Sequence, residues 1–164
     1  MKLLNTLELN RLIGYMEALS CSLNGCNYVT IFNAQQLKIE DNNLEIKKLI
    51  KFGYPQTKVE NATISESSSS EMVARINSFI QRVNPYDKEN NLADSKKRNL
   101  ITGFWHNISK CIDYQNAEII EYIPQRENYD IQDPLNNFII FGLTFLIIDR
   151  QQKICLLIHC SASD

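Results

Sequence analysis

The chain has 164 residues, 44% hydrophobic and 22% charged, which suits one globular domain able to bury about two thirds of its unfolded surface. A net charge of −2 argues against a nucleic-acid-binding surface, which needs clustered Lys and Arg. Met1-Lys2-Leu3-Leu4-Asn5 lacks the sustained apolar region of a secretion signal, so a cytoplasmic protein is expected; five irregularly spaced cysteines make no disulfide framework.

Leu3, Leu4, Leu7, Leu12, Met16, Leu19 and Leu23 recur at helical spacing and predict an amphipathic helix that stops at the turn pair Asn24-Gly25. Tyr28-Val29-Thr30-Ile31-Phe32 is β-branched and aromatic, and reads as a short strand. Asn42 or Asn43 can cap a helix running through Phe52, with Leu44, Ile46, Leu49 and Ile50 on its inner face and Gly53 as its stop. Val59 to Ile64 reads as an edge strand. The run Ser65-Glu66-Ser67-Ser68-Ser69-Ser70 is read as a flexible loop in which Ser69 or Ser70 caps the next helix. That helix shows one apolar face, Met72, Val73, Ile76, Phe79, Ile80 and Val83, and Asn84-Pro85 ends it. Asp94 caps another, whose stripe is Leu100, Ile101, Phe104, Trp105, Ile108, Cys111 and Ile112. A strand over Ala117–Ile123 and an acidic loop with Pro124 and Pro134 follow.

The chain closes on two apolar runs, Phe138–Ile148 and Lys153–His159, separated by Asp149-Arg150-Gln151-Gln152-Lys153. The first run is about half the length that a membrane-spanning helix requires, and the charged gap prevents the two from merging. Branched and aromatic residues around a short polar gap predict a hairpin instead. Continuous apolarity places its strands in the middle of a sheet covered on both faces. Gly142 is expected at a bulge or a close helix crossing, and His159 at the strand's end. With helices gathered in the first two thirds, the expected class is α+β: a single domain over residues 1–164, N-terminal and central helices packed on a mostly antiparallel sheet, ending in a C-terminal hairpin or meander.

Candidate chemistry is sparse. Adjacent strand residues point to opposite faces, so His159 and Cys160 cannot ligate one metal together. Cys21-x4-Cys26 is looser than a zinc knuckle. Cys111 lies in the apolar stripe of Trp105 and Ile108 and reads as core, and Ser67–Ser70 lacks the glycine elbow of a hydrolase nucleophile. No phosphate-binding glycine loop is present. No catalytic residue, metal or cofactor is expected, and the chain is not expected to be an enzyme. Charge is uneven, however: residues 113–164 carry 3 Lys+Arg against 8 Asp+Glu, a balance of −5.

The small size, the Asn- and Ile-rich composition and the closing pattern "FGLTFLIIDRQQKICLLIHCSASD" resemble immunity proteins encoded beside bacterial polymorphic or contact-dependent toxins. The resemblance implies a cytoplasmic protein that neutralises a cognate toxin domain, often a basic nuclease, by stoichiometric binding. No family motif is matched, so no family residue is carried over. Complementarity to a basic partner would fall to Glu118, Glu121, Glu127, Asp130 and Asp133, with Tyr122 and Tyr129 as aromatic anchors. An alternative reading is a small-ligand-binding or enzymatic domain with a pocket between the sheet and the Trp105 helix, lined by Tyr28, Trp105, His106 and His159. A third is an adaptor that pairs through the Val59–Ile64 edge.

Overall fold

The computed structural model describes residues 1–24, 29–40, 45–82, 94–125, 132–136 and 141–163. The elements in chain order are β1 (Lys2–Leu3), α1 (Leu7–Leu23), β2 (Val29–Lys38), α2 (Ile46–Gly53), β3 (Thr63–Ser67), α3 (Ser69–Arg82), α4 (Asp94–Cys111), β4 (Glu118–Ile123), β5 (Phe141–Asp149) and β6 (Ile154–Ser163). The strands form one open sheet of order β1-β2-β6-β5-β4-β3, and every neighbouring pair is antiparallel. The α+β class and the C-terminal hairpin are those expected. No helix among the described residues is long and apolar enough to cross a membrane.

Both faces of the sheet are covered, which explains the continuous apolar runs of β5 and β6. Leu143, Phe145 and Ile147 of β5 and Leu156, Ile158 and Cys160 of β6 pack beneath Leu12, Met16 and Leu19 of α1, Ile76 and Phe79 of α3, and Phe104 and Ile108 of α4. The alternate residues Leu146, Ile148, Cys155 and Leu157 pack on the other face with Leu49 and Ile50 of α2, Tyr54 and Leu135. The two-residue period of a strand thus feeds two cores from one apolar sequence. At the hairpin tip, Asp149 Oδ1 accepts from Gln151 N at 2.9 Å and Gln152 N at 2.8 Å, and Lys153 closes the turn at φ 57°.

Several boundaries differ from the sequence reading, each for a local reason. Leu3 and Leu4 precede the first helix: Thr6 Oγ1 accepts from Leu9 N at 3.1 Å and caps α1. Lys2 and Leu3 pair with Lys38 and Leu37 instead. β2 extends through the polar stretch Asn33–Lys38, which pairs along its whole length with β6. Buried Gln36 is satisfied there, donating to Cys111 O at 3.0 Å and accepting from Thr6 Oγ1 at 3.3 Å.

The edge strand begins at Thr63 rather than Val59, so Ser65-Glu66-Ser67 belong to a strand and not to a loop. The cap of α3 is Ser68 rather than Ser69 or Ser70. Its Oγ accepts from Glu71 N at 3.1 Å, while Glu71 Oε2 accepts from Ser68 N at 2.9 Å, a reciprocal capping box. These bonds to Ser68 hold the Glu71 carboxyl below its ordinary pKa. Gly142 marks no bulge, because the β5–β6 register runs unbroken from Phe141↔Ala162 to Asp149↔Ile154. β6 continues past His159 to Ser163 because β2 offers partners as far as Val29. The proposed caps Asn42 and Asn43, together with Leu44, Val83-Asn84-Pro85 and Phe138–Ile140, lie outside the described residues.

Candidate interaction surface

An open sheet has two edges whose free N–H and C=O groups invite pairing with another chain. On one side the two-residue β1 is the edge strand, and beyond it the chain's own groups meet part of the outer side of β2. Leu4 N donates to Gln36 O at 2.8 Å. Further along, Asn24 Oδ1 accepts from Thr30 N at 2.7 Å, and Ser20 Oγ accepts from Phe32 N at 3.1 Å. Asn24 and Ser20 belong to the end of α1, so this helix both packs on the sheet and meets two outward amides of β2.

The opposite edge is treated differently. β3 pairs with β4 from Thr63↔Ile123 to Ser67↔Ile119, and no strand lies on its outer side among the described residues. Alternate residues of an antiparallel edge strand direct both backbone groups outward. Ile64 and Glu66 share one face, with Glu66 exposed and Ile64 half-buried; Thr63, Ser65 and Ser67 occupy the other. Tyr122 supports Ile64 from the neighbouring strand and donates its hydroxyl to Lys58 O at 3.0 Å. On the other face, opposite Ser65, Glu121 pairs with Arg75 of α3. The Arg75 guanidinium also lies 5.7 Å from the centre of the Phe145 ring. Glu66 forms no ion pair among the described residues, and Ile123, opposite Thr63, is exposed. The edge is therefore backed by the buried Glu121 and Tyr122, with one apolar and one acidic side chain at a two-residue spacing.

The candidate partner-binding residues from the sequence fall into three environments. Glu121, Tyr122 and Asp133 are buried at 6%, 1% and 1% exposure, so each reaches its neighbours inside the molecule. Asp133 clasps two loops: Oδ1 accepts from Thr57 Oγ1 at 2.8 Å and Leu135 N at 3.0 Å, and Oδ2 from Lys58 N at 3.0 Å. Burial raises the pKa of Tyr122, with Asp133 and Glu60 adding to the effect. Glu118 stays partly exposed and accepts from Arg150 Nε at 2.7 Å, a contact that raises the guanidinium pKa further. Glu127, Tyr129 and Asp130 lie outside the described residues. The structure thus brings Glu118, Glu121 and Tyr122 together on β4 but turns only Glu118 outward. The edge of β3, with Glu66, was missed as an acidic feature. Its signal was the alternation Thr-Ile-Ser-Glu-Ser, masked by the adjoining serines.

The histidines and cysteines separate as strand geometry dictates. His159 faces away from α4 while Cys160 packs beneath α1 and α4. Trp105 packs with the Cys160 core, donating Nε1 to Asn77 Oδ1 at 2.7 Å. His159 and Trp105 therefore lie on opposite sides of the sheet and line no common pocket. His106 is exposed on α4, and Tyr28 lies outside the described residues. His159 Nδ1 sits 2.8 Å from Thr144 Oγ1 in a cross-strand row, Asn33–His159–Thr144–Tyr122. Complete burial holds the imidazole pKa down at about 4, so it is neutral at pH 7. Burial also raises the thiol pKa values of Cys155 and Cys160, and pushes that of Cys111 up to about 11. Such thiols are space-filling and inert. Among the described residues no group of three or more His, Cys, Asp or Glu side chains is placed to hold a metal ion.

No protein-family model matches the chain, and no curated protein matches it in sequence. In three dimensions it is similar to MAF1 from citrus in two crystal forms. The TM-scores are 0.63 and 0.64 at 12% sequence identity, with 95% of this chain and 98% of the citrus chain covered in each case. At that identity the likeness is one of fold.

Proposed function

We propose that this chain is a protein-binding domain that acts by stoichiometric docking, and that its partner is a toxin domain which it neutralises. The observation that carries the binding role is the asymmetry between the two sheet edges. One edge is the two-residue β1, beyond which Leu4, Ser20 and Asn24 bond to outward groups of β2, while β3 presents five residues with no strand on their outer side among the described residues. Exposed edges are a hazard that folded proteins ordinarily manage, and the longer of the two edges, left available, suits strand addition by a partner. The neutralising role comes from the sequence resemblance. Expression of a candidate toxin domain with and without this chain tests it. Rescue of growth together with a 1:1 complex on sedimentation supports the proposal, and toxicity unaltered by equimolar chain refutes it.

A small-ligand reading is favoured by a different observation. The hydroxyl of Tyr54, which is 4% exposed, has no hydrogen-bond partner among the described residues, and this residue packs on the same sheet face as Leu157 and Tyr122. Such a site would lie on the face opposite Trp105. A thermal-shift screen of small polar compounds tests it: a stabilising compound whose effect vanishes in Tyr54→Phe supports this reading, and equal shifts in both proteins reject it.

A further inference from the structure

We infer that β3 is completed by an extended segment of the partner that places a basic side chain over Glu66 and, two residues away, an apolar one over Ile64. This rests on the protein-binding proposal above and specifies its chemistry. Strand addition supplies affinity through backbone hydrogen bonds, while alternate side chains supply selectivity. On the face shared by Ile64 and Glu66, a directly opposed residue stands about 5 Å away between β-carbons. Ile64 is half-buried against Tyr122, so an apolar neighbour extends that contact. Glu66 is exposed and has no ion pair among the described residues, so an opposite charge is favoured and a like charge disfavoured. On the reverse face Thr63, Ser65 and Ser67 are small and hydroxylated, and the charges beside them, Arg75 with Glu121 and Glu71 with Ser68, already have partners. The capping box at Ser68 turns the chain into α3 immediately after the strand, which limits the docked segment to about five paired residues.

The test uses the full chain and two blocked peptides, Thr-Lys-Thr-Val-Thr-Lys-Thr and Thr-Glu-Thr-Val-Thr-Glu-Thr. With valine over Ile64, either strand direction brings one end residue over Glu66. Titration followed by backbone amide resonances is expected to move Thr63–Ser67, with the lysine peptide binding at least tenfold more tightly than the glutamate peptide. Glu66→Lys is expected to invert that preference while leaving resonances elsewhere unchanged. Equal affinities, or shifts confined to residues away from β3, overturn the inference. Protection of β3 that grows with protein concentration and without peptide also overturns it, since the occupant is then a second copy. A neutralised toxin that binds 1:1 but leaves β3 unperturbed overturns this inference while leaving the protein-binding proposal intact.

Discussion

His159 makes the stability of this fold sensitive to acid in a way that can be worked out. The ring is fully buried, its Nδ1 2.8 Å from Thr144 Oγ1, and its pKa falls from 6.5 to about 4 because burial penalises the charged form. A depressed folded-state pKa means that the unfolded chain binds the proton more tightly. The neutral ring therefore contributes nothing unfavourable above pH 6.5, and stability is lost as pH falls from about 6.5 towards 4. With those two values the loss between pH 7 and pH 4.5 comes to about 2 kcal/mol, a large fraction of a typical domain's stability. The perturbation is His159→Asn, which keeps a polar atom near Thr144 and cannot titrate. Urea unfolding followed by Trp105 fluorescence, at both pH values and for both proteins, isolates the histidine because other titrating groups cancel in the difference. The wild type is expected to lose about 2 kcal/mol more than the variant on acidification. An equal loss in both proteins would refute the reasoning.

Three further outcomes follow from the packing. Asp133→Ala removes the acceptor shared by Thr57 Oγ1, Lys58 N and Leu135 N, and should cost about 2–4 kcal/mol by urea denaturation; a cost below about 1 kcal/mol contradicts the clasp. Gly103→Ala puts a β-carbon against the Tyr15 hydroxyl, which donates to Leu100 O at 2.8 Å. It should destabilise the α1–α4 contact by about 1–3 kcal/mol, while a melting temperature equal to wild type argues that the helices shift freely. Exposed Cys21 should react with iodoacetamide in the native state, whereas buried Cys155 and Cys160 should react only in denaturant. Peptide mapping of the modified thiols reads this directly, and native labelling of Cys160 would contradict the closed core.

The fold was legible wherever side-chain burial is periodic. α3 and α4 showed one apolar face each, and the β5–β6 hairpin was marked by branched residues around a charged turn. Its continuous apolarity also announced two covered faces, now assigned to α1, α3 and α4 on one side and α2 on the other. Strand β2 was read five or six residues short because Asn33, Gln35 and Gln36 are polar. Their place is determined by pairing with β6 and by the Gln36 bond to Cys111 O, which are long-range facts. Glu121 and Asp133 were misread as surface acids for the converse reason. Local sequence reports charge but not the partner that neutralises it, and Arg75 reaches Glu121 across 46 residues. Likewise Asp133 looks like a surface acid until Thr57 and Lys58, remote in sequence, are folded against it. The edge strand was placed four residues early, since serines read as a loop until β4 supplies a ladder.

The central claim, that β3 receives a partner strand, is tested most directly by amide hydrogen exchange across Thr63–Ser67 with and without saturating lysine peptide. The account predicts that the outward-facing amides of this strand slow by at least tenfold while α1, α3 and α4 exchange as before. Unchanged exchange at β3, with the peptide bound and protecting another segment, would contradict it.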